Sequence, residues 1–244
     1  MDFALSEDQL ELKQAARAWL ADRFPLDRNW EEQDDRWSEL EELGWLDVAE
    51  AGLGFVEEAL LLEEMGYVCY PGFYLGHVAS LPSDGDAATV DATRRLVTPG
   101  EETPRFRAAA AAEALGVAQR ALDLGFEHAK TRTQFGKPIG TYQAVSHPLA
   151  QTYTDVELAR SLVYWAAWCV AEEDERAPLA AAAAKAFATE AAVAACERSI
   201  QVHGGIGFTW EHPLHRFYKR AIWLEGFGQR PAELRLEVAN LLLA

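Results

Sequence analysis

Positive charge is scarce in this chain: 22 Lys and Arg stand against 39 Asp and Glu in 244 residues, a formal net charge of -17. Nucleic acid and anionic membrane surfaces are polyanions, so a surface of that sign argues against either as the main partner. A small anion is not excluded, because one well-placed arginine outweighs a distant acidic surface. Cysteine is also scarce. Cys69, Cys169 and Cys196 stand far apart, odd in number and without C-x-x-C spacing, and read as buried thiols in a reducing compartment. The opening Met1-Asp2-Phe3-Ala4-Leu5 has neither the basic region nor the apolar core of a secretion signal. The alanine-rich stretch after Pro178 is interrupted by Lys185, which argues against a membrane span. The expectation is a cytoplasmic protein. There is no Gly-x-Ser-x-Gly, and His128, His147, His203, His212 and His215 show no metal-site spacing with Cys, Asp or Glu.

Alternating strand patterns are missing too, and helical signals take their place. Ser6 and Gln9 form a capping box, with Leu5 and Leu10 placed for a hydrophobic staple. Leu12, Ala16, Trp19 and Leu20 follow as one stripe until Pro25 stops the helix. A short helix carries Trp37, Leu40 and Leu43 and ends at Gly44; a third runs from about Phe55 to Met65, closed by Gly66, before Pro71-Gly72 break the chain. Periodicity then fades from His77 to Thr103, leaving a linker or at most one strand at Asp91–Val97. Four helical patterns remain: Pro104–Lys130, Gln143–Glu173, Pro178–Val202, and a pair after Pro213 separated at Gly226-Phe227-Gly228 and restarted at Pro231. The fold class is all-α. An N-terminal helical domain covers 1–76, a linker 77–103, and a C-terminal antiparallel four-helix bundle 104–244.

Two clusters stand apart from this helical background. Arg132-Thr133-Gln134-Phe135-Gly136-Lys137-Pro138-Ile139-Gly140 joins two long helices. A plain helix–helix turn needs only a glycine or a polar cap; this one adds a guanidinium that can fork onto a phosphate, beside an amide and a flat ring. Later, Gln201-Val202-His203-Gly204-Gly205-Ile206-Gly207-Phe208-Thr209 offers glycines that let backbone amides approach a ligand closely. Both clusters are read as facing one anionic, aromatic cofactor.

With those two motifs, the Met1–Leu20 opening and the Leu43-Gly44-Trp45-Leu46 turn, the chain resembles the acyl-CoA dehydrogenase family over nearly its whole length. The resemblance implies three parts: an N-terminal helical domain, a middle β-domain of about 100 residues, and a C-terminal four-helix bundle. It implies FAD-dependent removal of the α and β hydrogens of an acyl-CoA thioester, with electrons passed to an electron-transferring flavoprotein. The sequence departs from the pattern twice. Ser80–Val90 spans the place of the β-domain and is too short for a barrel. The family's usual catalytic glutamate falls on Gly228, and the alternative position used by a minority of relatives falls on Phe106. Neither side chain takes a proton. Glu225, about one turn before Gly228, is a substitute displaced by about 5 Å.

In such enzymes FAD lies across a subunit boundary. By resemblance, Arg132 would meet the pyrophosphate, Gln134 and Phe135 the ribitol–adenosine part, and Gln201, Gly204 and Gly205 the diphosphate or ribose. The chain then reads as the non-autonomous subunit of a heteromeric enzyme, a heterodimer or heterotetramer. A larger acyl-CoA dehydrogenase subunit would supply the β-domain, the acyl-CoA pocket and the base, with a bulky steroid-derived acyl group as substrate. Two other readings stay open: a catalytically inert helical scaffold, and a self-sufficient homodimer with Glu225 as base.

Overall fold

The computed structural model describes residues 5–27, 34–49, 51–72, 74–80 and 102–243. The expected strand at Asp91–Val97, most of the 77–103 linker and the first four residues of the opening motif lie outside the described residues. Helix α1 (Glu7–Arg23) starts on the capping box expected from Ser6 and Gln9, and its last N–H comes from Phe24, next to Pro25. Helices α2 (Trp37–Glu42), α3 (Phe55–Val68) and α4 (Tyr74–Ser80) complete the N-terminal cluster. Then come α5 (Pro104–Thr131), a two-stranded ribbon of β1 (Thr133–Gln134) and β2 (Lys137–Pro138), α6 (Gln143–Ala171), α7 (Ala177–His203), α8 (Leu214–Gly226) and α9 (Pro231–Leu243). Thr103 caps α5 by accepting the Phe106 N–H at 3.1 Å, and Pro104 fills the first helical position, where its missing donor costs nothing.

Two readings need correction. Gly66 does not end α3. The helix runs on to Val68 and closes at Cys69, in the left-handed region at φ 53°. Gly66 lies instead where α3 crosses α5: a Cβ there would overlap the Glu113 carbonyl, and one on Gly116 would overlap the Glu63 carbonyl. Close crossing, not chain termination, requires these glycines. Helix α4 also falls partly where periodicity was read as fading, since its seven residues span barely two turns.

Alanine sets the geometry of the bundle. Ala108–Ala112 of α5 and Ala180, Ala181, Ala184 and Ala188 of α7 are buried, and small faces let helix axes approach closely. Glu102 meets Lys185 at one end of this pair and His128 meets His203 at the other, so α5 and α7 run in the same direction. By length and composition α7 with the turn after it is apolar enough to cross a membrane, despite Lys185; 67% of that window is buried inside the bundle. All three cysteines are buried and unpaired.

The N-terminal cluster and the bundle share one apolar core, running from Ala16 and Leu20 through Leu115 and Val156 to Leu224. Glu63 of α3 fastens the two. Its carboxylate accepts from Lys13 at 2.5 Å, from Tyr164 at 2.7 Å and from Arg160. Burial alone would push this carboxyl up; Lys13 and Arg160 outweigh it and hold Glu63 below the ordinary range.

Candidate functional site

The hairpin after α5 is built around an unfavourable backbone. Thr133 pairs with Pro138 and Gln134 with Lys137, which leaves Phe135 and Gly136 as a two-residue turn with φ of 51° and 82°. Both central residues of a type I′ turn need positive φ, and glycine or asparagine usually supply it. Phe135 adopts it without side-chain compensation: its ring is 92% exposed and meets only the edge of Tyr142 at 6.4 Å. Such strain costs on the order of 1–3 kcal/mol and points to a role for the exposed ring. Lys137 sits 4.4 Å from the Tyr142 ring, and the Tyr142 hydroxyl donates to the Gln134 carbonyl at 3.3 Å. Arg132 caps α5 through its backbone, donating to His128 O and accepting from the Ile139 N–H. Among the described residues its guanidinium forms no ion pair or hydrogen bond. Gln134 is exposed beside it.

The second loop leaves α7 at Gly204, with φ 65° and ψ -139°, a region essentially reserved for glycine. A Cβ on Gly204 or Gly205 would meet nothing within 4 Å, so the space beside both backbones is open. Gly207 differs, packed against the Ile200 carbonyl. Gln201 is exposed, and Phe208 and Trp210 show 73% and 71% of their surface.

Sequence reasoning missed what joins the loops. His128, one turn before Arg132, places its ring 4.2 Å from that of His203, the last residue before Gly204. His203 in turn lies 4.4 Å from His212, beyond the second loop. A histidine at each of the two helix ends was the available signal. Burial holds all three imidazoles below the ordinary range, with the neighbouring rings adding to the effect at His128 and His212; His212 falls to about 4. Helices α5 and α7 both end at this pole, so their dipoles turn negative ends toward it. An anion here therefore depends first on Arg132, since the Gly204 N–H already donates to the Ile200 and Gln201 carbonyls.

The opposite pole holds the expected base positions, and it is closed. A Cβ on Gly228 would overlap the Glu102 carboxylate and come within 3.1 Å of Lys185 Nζ. Glu102 Oε1 accepts the Gln229 N–H; its Oε2 accepts from Lys185 at 3.2 Å and Arg107 at 3.3 Å. Lys185 also donates to the carbonyls of Phe227 at 2.6 Å and Gln229 at 3.1 Å. Arg107 reaches Glu237 at 2.7 Å and Gln229 Oε1 at 2.5 Å. Phe106 packs tilted against Phe227, the residue before Gly228, with ring centres 5.2 Å apart, so both expected positions meet in one filled space. Glu225 is half-buried on α8; burial first, then Glu190 and Glu197, push its carboxyl up.

Comparison with known proteins agrees with this architecture. The family model described as acyl-CoA dehydrogenase, C-terminal domain, matches residues 101–228, and that for the N-terminal domain matches residues 6–83. The chain is 43% identical over 163 residues to acyl-CoA dehydrogenase IpdE2 of Mycobacterium tuberculosis, covering 62% of this chain and 49% of the relative. It is 41% identical over 140 residues to probable acyl-CoA dehydrogenase YngJ of Bacillus subtilis, covering 56% and 36%. The chain thus matches half or less of the length of these relatives. Among solved structures, a variant of the Tcur3481-Tcur3483 steroid ACAD superposes with a TM-score of 0.81 at 23% identity, over 98% of this chain and 99% of that one. The ChsE4-ChsE5 complex of Mycobacterium tuberculosis gives 0.81 at 21% identity, over 100% and 99%.

Proposed function

This chain belongs to the acyl-CoA dehydrogenase family, and from that premise we propose that it is the non-autonomous subunit of a heteromeric FAD-dependent acyl-CoA dehydrogenase. One contrast carries the reading: the pole expected to hold the base is sealed, while the pole expected to hold the cofactor's phosphates is open. The residues present suit the diphosphate and adenosine half of FAD. Arg132 offers a free bidentate fork, Gly204 and Gly205 offer approachable backbone, and Gln134, Gln201 and Phe135 offer amides and a ring for the ribitol, ribose and adenine. When bound, FAD would supply the acceptor for the β hydrogen as hydride in α,β-dehydrogenation of an acyl-CoA thioester, the α proton going to a general base.

This chain's own residues do not take the substrate proton. Glu102, the carboxylate in the sealed pole, has both oxygens engaged by an N–H and two cations. A general base needs a free lone pair within hydrogen-bond reach of the proton. The base, the flavin-ring cradle and the acyl-CoA pocket therefore come from a larger subunit, and an electron-transferring flavoprotein takes the electrons. One fold neighbour is named as a ChsE4-ChsE5 complex and another as a steroid ACAD, which suits a two-polypeptide enzyme acting on a bulky, steroid-derived acyl group in the cytoplasm.

The test is colour and composition. Expressed alone, the chain is expected to be colourless and inactive; copurified with its partner from the native host, the complex is expected to be yellow and active. A yellow, active lone chain would favour the homodimer with Glu225 as base. A colourless complex would leave only the scaffold.

A further inference from the structure

Three imidazoles from three separate segments form a continuous stack across the open pole, with successive rings tilted by 31° and 53°. His128 sits in the last turn of α5, His203 ends α7, and His212 lies just before α8. Each ring is tied to backbone or to a neighbouring ring. His203 Nδ1 lies 2.8 Å from the Ser199 carbonyl, where it donates. His212 Nδ1 accepts the Leu214 N–H at 3.3 Å, at the first turn of α8, and so must be unprotonated. The His212 carbonyl is met by His215 Nδ1 at 2.8 Å. Arg132 follows His128 by one turn, and Gly204 follows His203 directly. The exposed side chains of Phe135, Ile206 and Phe208 leave the tips of both loops uncovered, while Ile139 packs on the core and Gly207 against the Ile200 carbonyl.

We infer that the neutral stack His128–His203–His212 is a positioning strut that fixes the arginine hairpin against the glycine loop, and that protonation of His212 releases it. The proton would have to sit on Nδ1, where it breaks the bond to Leu214 and places a cation against the buried His203 ring. The groups facing His212 are His203, His128 and His215, all of them histidines; none supplies a counter-charge. Around His203 the facing groups are the Ser199 carbonyl and Glu127, and around His128 they are His203 and the cationic Arg132. The strut belongs to the loops themselves. It rests on the flavin reading only for the ligand the loops would hold, and it is tested without that ligand.

The experiment is amide hydrogen exchange on the full chain, with protection factors followed from about pH 7 to about pH 5. With the closed-state imidazole titrating lower than the open-state one, opening takes up a proton and becomes easier as pH falls. Protection at 201–214 and 132–142 should drop at least about tenfold over that range, while the middle of α5 and α7 stays protected. His212→Phe keeps a ring without a titrating nitrogen, and should flatten the loop profile. His212→Ala removes the ring and should lower loop protection even near pH 7. A wild-type loop profile that is flat, or that falls only in parallel with the helical core, would overturn the inference. So would a wild-type slope retained in His212→Phe, or neutral-pH protection unchanged in His212→Ala. None of these outcomes depends on flavin, so failure here is separate from failure of the cofactor assignment.

Discussion

Arg132 and Gly228 stand at opposite poles of the bundle. Because the Arg132 guanidinium holds no partner in the described structure, its removal should leave folding intact. Arg132→Ala in the heteromeric complex is expected to weaken FAD by about tenfold or more, the 1.5–3 kcal/mol of a charge-assisted contact, with an unchanged melting temperature. Flavin retained on dialysis at the wild-type level would remove Arg132 from the site. Gly228→Glu tests the other pole. A glutamate there would restore the family's base in name, but φ at this position is 75° and its Cβ would overlap the Glu102 carboxylate. The variant is expected to lose at least about 2 kcal/mol in urea unfolding and to gain no proton-abstracting activity. The identities of these residues were legible in the sequence. Why Gly228 is tolerated was not, because Glu102 lies more than a hundred residues away along the chain.

Helices announce themselves locally, and these did so through Ser6 with Gln9, prolines at or near helix ends, and regular apolar spacing. The all-α architecture followed from signals within a few residues of each other. Contacts between helices carry no such local mark. Gly66 looked like a stop signal and proved to be half of a crossing with Gly116, and the three imidazoles came together only when α5 and α7 lay parallel. Gly66→Ala and Gly116→Ala should each cost about 2–3 kcal/mol, because the added methyl meets backbone rather than a side chain able to move. Gly205→Ala, with open space around it, should stay within about 0.5 kcal/mol of wild type. Chemical denaturation midpoints of the three variants decide the matter: equal shifts would mean that the crossing is not what these glycines serve.

At the scale of the whole molecule, one core joins the N-terminal cluster to the bundle, with Glu63 clasped between Lys13 and Arg160. Weighing the intact complex from the native host should give unlike chains, with one flavin for each pair. One flavin in every copy of this chain would contradict a shared cofactor. The sealed pole also sets the direction in which such a chain can change. Regaining a carboxylate at 228 first requires displacing Glu102, and without Glu102 the buried ammonium of Lys185 keeps only the Phe227 and Gln229 carbonyls, with no ion-paired carboxylate. Each single step back lowers stability before any step returns chemistry, so on the proposed reading the turn works as a ratchet that keeps the polypeptide committed to a companion.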